Sequence, residues 1–270
     1  MNKKQLSTGV AVAYEEAGAG EPLVLLHGFC GSRGYWEETL PHLAEFGRVI
    51  APDLRGHGSS DAAGAEERYA MEDLADDVAA LMDELNLTKI SLFGHSLGGY
   101  AALAFAEKYS ERLSALGLVH STAFPDTEQA KENRLKAVEA IRSQGVAPFV
   151  DGLVPKLFAP NHREDRPELV AKAKEIGYGT SAEGAVGCAL GMRARPDRVS
   201  VLERLSLPIL LLAGESDEVV PPEKRFPVSG DNVTAITLEG VGHMGMMEDP
   251  RATAARIGEF LKRNRGIDGV

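Results

Sequence analysis

Three short stretches carry side chains that together could do acyl chemistry. "GHSLGG" sets Ser96 among glycines, "GESDEVVPP" carries Asp217, and "GVGHMGMMEDP" carries His243. A serine hydroxyl is a weak nucleophile until a base takes its proton. A histidine base in turn needs a carboxylate to hold its tautomer and stabilise its cation. These residue types predict nucleophilic attack on an acyl carbon. Glycine on both sides of Ser96 weakens strand and helix alike, so a local geometric demand must outweigh propensity. A sharp strand-to-helix turn is such a demand: it lifts the hydroxyl clear of the sheet and aims unpaired helix N–H groups at the reacting atom. The stretch "LVLLHGFCGS" closes an early apolar run on His27-Gly28-Phe29. The main-chain N–H groups of Phe29 and Leu97 are the candidate oxyanion donors.

Other acids and histidines compete for these roles. Glu215 falls earlier than Asp217 in the same turn, and Asp126 follows another strand. Asp217 is preferred because Gly214 and the Pro221–Pro222 pair frame a turn that can present it. His27 is expected to shape the oxyanion loop, His57 to order the turn "RGHGSS", and His95 to pack behind the nucleophile. His42, His120 and His162 have no metal-ligand spacing. "GVGHMG" matches a dinucleotide fingerprint, but the chain ends before the helix, strand and acid that fingerprint requires. No metal and no organic cofactor is expected.

The elements that must position these groups alternate in type. β-type runs recur at 10–14, 23–27, 48–52, 90–94, 116–120, 208–214 and 233–238, several of them continuously apolar. Between them, "YAMEDLADDVAALMDEL" and "RATAARIGEFLKRN" place apolar residues along one helical stripe. This alternation predicts an α/β fold with a mostly parallel, doubly wound sheet and helices on both faces. The interval from 120 to 208 is far longer than one crossover needs and reads as several short helices. Asp126, Asp165 and Ser181 are the expected N-caps there, with Pro167 in a first turn. The expected division is a core of 1–122 and 200–270 and a helical cap of 123–199 over one sheet edge.

In order, "HGFCGS", "DLRGHGSSD", "GHSLGG", "GESDEVVPP" and "GVGHMGMMEDP" resemble the α/β-hydrolase fold family, in its serine-nucleophile, esterase- or lactonase-like branch. The resemblance covers nearly the whole chain outside the cap. It implies Ser96 as nucleophile, His243 as base, Asp217 as the acid, and Phe29 and Leu97 as oxyanion donors. It further implies eight strands, with the cap inserted after the sixth.

The bulk properties bound the partners. The chain has 270 residues and a formal net charge of −11, with basic residues scattered, which argues against nucleic-acid or anionic-membrane partners. No signal-like or membrane-spanning run is evident, and two cysteines make no disulfide framework, so a cytoplasmic location is expected. Trp36, Phe124, Phe149, Phe158, Tyr178, Met192, Val219 and Met244 are expected to join Phe29 in an apolar pocket for a small acyl substrate. The expected activity is hydrolysis of a carboxylic ester or related acyl compound through an acyl-enzyme. Lactone opening, C–C bond hydrolysis and cofactor-free perhydrolysis use the same machinery. A ligand sensor with a retained triad is the reading from a different class.

Overall fold

In the computed structural model, which describes residues 1–63 and 68–265, the strands form one eight-stranded sheet in the order β1-β2-β4-β3-β5-β6-β7-β8. The ranges are β1 Asn2–Gln5, β2 Ala11–Ala17, β3 Pro22–Leu26, β4 Arg48–Pro52, β5 Ile90–His95, β6 Leu113–Val119, β7 Ile209–Gly214 and β8 Val233–Leu238. β1 and β2 pair antiparallel, β2 meets β4 antiparallel, and every later pairing is parallel. β1 was not among the sequence-expected strands. Its residues, "NKKQ", are polar and mostly exposed, as suits an edge that must not recruit other chains.

Inside the sheet, β5 and β7 are buried along their whole length, as continuous apolar runs demand when helices cover both faces. The register sets Leu26 beside Gly94, His95 beside Val119, and Val119 beside Leu212. The carboxyl ends of β3, β5, β6 and β7 therefore lie side by side. In an open α/β sheet, the loops beyond those ends form the natural crevice for a ligand. α1 (Leu40–Leu43) follows β3, α2 (Met71–Glu84) follows β4, and α3 (Leu97–Lys108) follows β5.

Between β6 and β7 run α4 (Glu128–Gln144), α5 (Val146–Leu153), α6 (Pro160–Asp165), α7 (Pro167–Tyr178), α8 (Ala182–Ala194) and α9 (Val199–Arg204). Two of the three expected caps differ in place. Thr127 caps α4, accepting from the Ala130 N–H at 3.2 Å, while Asp126 pairs with Arg195 at 2.7 Å and Arg134 at 3.1 Å. A threonine next to an aspartate can serve equally well, and two guanidinium groups claim the stronger acceptor. Asp165 ends α6 instead of starting α7, which opens on Pro167 without a side-chain cap. Ser181 does cap α8, accepting from the Gly184 N–H at 2.9 Å.

α8 lies directly on the core. A Cβ built on Gly184 would fall 2.2 Å from the Gly56 carbonyl oxygen, and one on Gly191 would fall 1.8 Å from that of Tyr69. Only bare backbone permits such approach. The Tyr69 N–H donates to the Gly187 carbonyl at 3.0 Å, and the Ser181 N–H to that of Gly56 at 2.9 Å, closing the seam with main-chain hydrogen bonds. The chain continues through α10 (Pro222–Arg225), α11 (Gly245–Glu248) and α12 (Pro250–Arg265). No helix among the described residues is long and apolar enough to cross a membrane.

Candidate active site

Ser96 occupies the junction of β5 and α3 with φ 50° and ψ −111°, in the left-handed region that a serine adopts only under constraint. The constraint is visible in its flanks. A Cβ on Gly94 would lie 2.1 Å from the Gly98 carbonyl oxygen, so the turn closes only because position 94 lacks a side chain, while a Cβ on Gly98 would lie 2.6 Å from the Leu26 carbonyl oxygen of β3. The Ser96 N–H donates to Val119 O at 3.1 Å, and the Ser121 hydroxyl donates to Ser96 O at 2.8 Å, tying the turn to the end of β6. Ser96 is half-buried although its neighbours in sequence are buried. Leu97 is the first residue of α3, so its N–H has no acceptor within the helix.

The end of β3 reaches the same point. A Cβ on Gly28 would sit 3.4 Å from Ser96 Cβ, which brings the Gly28–Phe29 peptide alongside the serine. His27 fixes this loop. Its Nε2 accepts from the Leu54 N–H at 2.9 Å and its Nδ1 donates to the Gly28 carbonyl at 2.8 Å, which defines the Nδ1–H tautomer. Burial pushes the His27 imidazole down to about 4, so it stays neutral and holds that pattern.

Asp217 follows β7 and His243 follows β8. His243 Nδ1 lies 2.8 Å from Asp217 Oδ2, and both side chains are almost fully buried. An ionised carboxylate only accepts, so Nδ1 carries a proton and points Nε2 away from Asp217. Asp217 Oδ1 accepts from the Val219 and Val220 N–H groups at 2.7 and 3.0 Å. Burial alone would raise the Asp217 carboxyl, but the charge and hydrogen bond of His243, then His120 and the Val220 amide, hold it well below the usual range. Neither competing acid has this partner. Glu215 is exposed and accepts from the Gly240 N–H at 3.0 Å, and Asp126 serves arginines. His95, beside the nucleophile in sequence, donates from Nε2 to the His243 carbonyl at 2.9 Å, and their ring centroids are 5.0 Å apart. The residue before Ser96 thus anchors the loop that bears the imidazole.

Residues 21–250 match the sequence model of the alpha/beta hydrolase fold. The chain belongs to the α/β-hydrolase fold family. Among relatives of this α/β hydrolase is a thermophilic esterase from Thermogutta terrifontis, solved with malate bound. It is 35% identical with a TM-score of 0.91, covering 97% of this chain and 98% of that one. A Bacillus subtilis protein, provisionally named 2-succinyl-6-hydroxy-2,4-cyclohexadiene-1-carboxylate synthase, is 32% identical over 95% of this chain and 96% of its own length. The 3-oxoadipate enol-lactonase 2 of Acinetobacter baylyi is 28% identical over 94% of each. Relatives of this hydrolase thus include an esterase, an enol-lactonase and a protein named as a synthase, and the likeness to each extends over nearly the whole chain.

The expected pocket residues divide by burial. Phe29 meets Phe149 edge to face at 5.8 Å, and Phe124 lies 5.8 Å beneath the Lys224 ammonium; Phe124 and Phe149 are half-buried. Trp36, Phe158, Met192 and Met244 are at most 1% exposed, so they pack the interior and present no open surface to a substrate. Tyr178 is turned outward, its hydroxyl donating to Asp151 at 2.7 Å, and Val219 is exposed beside the acid. The apolar pattern that marked them all does not distinguish a wall from the packing behind it. Sequence reasoning also passed over Glu248, a buried carboxylate five residues after His243 with four hydrogen bonds at this site. The only signal was an acid in a stretch otherwise destined for burial.

Proposed function

We propose that this protein is a serine hydrolase of carboxylic esters or related acyl compounds, working through an acyl-enzyme. The observation that carries the reading is the buried Asp217–His243 pair on the rim where the strained Ser96 turn is presented. In the first half-reaction His243 Nε2 takes the Ser96 hydroxyl proton as Oγ bonds to the substrate carbonyl carbon. The oxyanion is received by the Phe29 and Leu97 N–H groups, each donor of this kind contributing about 10²–10³ in rate. The carbon–oxygen bond to the alcohol breaks, and His243 returns its proton to the leaving oxygen. Water then gives a proton to the same nitrogen, attacks the acyl carbon, and releases the acid while the proton goes back to Ser96. Asp217 stays ionised and supports the imidazolium. These steps use only side chains, main-chain amides and water.

Phe29, Phe124 and Phe149 favour a substrate with apolar character. The enol-lactonase relative favours lactones as a second substrate class, whose ring opening follows the same sequence with the alcohol remaining attached. Two free cysteines fit a cytoplasmic setting. The deciding experiment is Ser96→Ala assayed on a p-nitrophenyl ester beside the wild type. Turnover should fall by about 10⁶, to background, with the circular dichroism spectrum unchanged. Wild-type activity should show a burst of one p-nitrophenol per chain when deacylation is slow. A folded Ser96→Ala protein that still turns over would remove serine from the mechanism.

A further inference from the structure

Glu248 joins two parts of the molecule through a single carboxylate. Oε1 accepts from the Gly242 and Met244 N–H groups, both at 3.0 Å, the amides immediately before and after His243. Oε2 accepts from the Ala159 N–H at 2.9 Å and faces His162 Nδ1 at 2.7 Å, both in the helical segment between β6 and β7. The residue is 3% exposed. Three further contacts follow the same seam. The His243 N–H donates to the Leu157 carbonyl at 2.8 Å, and Arg166 Nη1 donates to the Glu248 carbonyl at 2.6 Å. A Cβ on Gly242 would lie 2.3 Å from the Ala159 nitrogen, so the two backbones touch.

We propose that Glu248 is a positioning residue: one carboxylate oxygen grips the peptides flanking His243, the other grips Ala159 and His162, and the placement of the imidazole thereby depends on the seated segment Leu157–Arg166. The inference rests on the reading of His243 as the base. The physical reasoning is local. The ring of His243 is oriented at Nδ1 by Asp217, and its main-chain N–H and carbonyl are tied to Leu157 and His95, but the residues on either side could still shift. Hydrogen bonds to the amides on either side remove that freedom. A reacting group needs to be held within about 0.5 Å of its productive position, so loosening the loop costs rate even though Glu248 never meets the substrate. The same joint has a directional consequence. The Leu157–Arg166 strap must stay down while the base works, so substrate reaches Ser96 without lifting it.

The test uses the full chain with Glu248→Ala, Glu248→Gln and His162→Ala. The probes are steady-state hydrolysis of p-nitrophenyl acetate, amide hydrogen exchange at Gly242 and Met244, and the low-field proton resonance of His243 Nδ1–H. Glu248→Gln keeps an acceptor for one pair of donors but turns an NH₂ toward the other, while His162→Ala removes only one strap contact. We expect kcat to fall about 100-fold in Glu248→Ala and about 10-fold in Glu248→Gln, with KM within threefold. Exchange at both amides should quicken at least tenfold, and the low-field resonance should broaden or shift. If Glu248→Ala does not fold, Glu248→Gln and His162→Ala carry the same comparison. Unchanged exchange and an unchanged resonance in folded variants would overturn the proposal, as would a loss confined to KM. Should the wild type hydrolyse no acyl ester, the reading of the reaction fails, whereas exchange and resonance still decide whether the clamp exists.

Discussion

Asp217 and Asp126 both follow the end of a strand, and their partners separate their work. Asp217 receives His243 on one oxygen and two main-chain amides on the other. Asp126 holds Arg195, whose side chain is 5% exposed and lies over the Tyr100 ring at 3.9 Å. Asp217→Asn should therefore lower kcat by about 10⁴, because the amide no longer enforces the imidazole tautomer. Asp126→Asn should instead cost about 3 kcal/mol of stability by leaving buried guanidinium charge less well paired, with kcat near wild type. Kinetics on the p-nitrophenyl ester and urea melts of both variants check this. Equal losses of kcat would undo the assignment. The strained turn at Ser96 and the pairing of Asp217 with His243 were legible in the sequence because glycine punctuation marks the turns that carry them. Glu248 was not legible, since its partners are main-chain amides and no residue pattern encodes where those point. The wall residues were half legible: apolar type is written in the chain, depth is not.

At the scale of elements, alternating apolar runs and amphipathic stripes were enough for seven strands and the long helices, because burial on both faces leaves a continuous apolar record. β1 escaped because an exposed edge strand is held by its neighbour's hydrogen bonds and has no apolar face to announce it. The start of α4 shows the limit of cap chemistry read from sequence. Asp126 and Thr127 are both good caps by type, and the choice fell to distant Arg195 and Arg134. Thr127→Ala should consequently lower stability by about 1 kcal/mol through loss of the acceptor for the Ala130 N–H. A shift in the urea midpoint at constant m-value would report it. No shift would mean that α4 is held by its packing on α8 and α5 without help from the cap.

For the molecule as a whole, four of the five imidazoles buried among the described residues set the response to acid. Burial lowers His27 to about 4, and His57 and His120 to about 3, and pushes His95 well below its ordinary value. The unfolded chain takes up these protons near pH 6.5, the folded chain only near 3 to 4 or below, so stability present above 6.5 is lost as pH falls. Each fully titrating group contributes about 1.4 kcal/mol per pH unit inside that window, or roughly 5.5 kcal/mol per unit for the four. Asp217, lowered in the fold, adds a further loss only below about 4. Urea melts between pH 6 and 5 should show unfolding free energy falling with a slope approaching four protons, and a slope under one would contradict neutral buried rings. The glycine seam of α8 against Gly56 and Tyr69 bears on how such proteins can be recombined. A chimera that borrows its roof from another hydrolase must splice upstream of Ser181, because a donor helix with any side chain at 184 or 191 would jack the roof off its foundation. New specificities are accordingly best sought by exchanging 128–156, leaving the Leu157–Arg166 strap and the anchor helix in place.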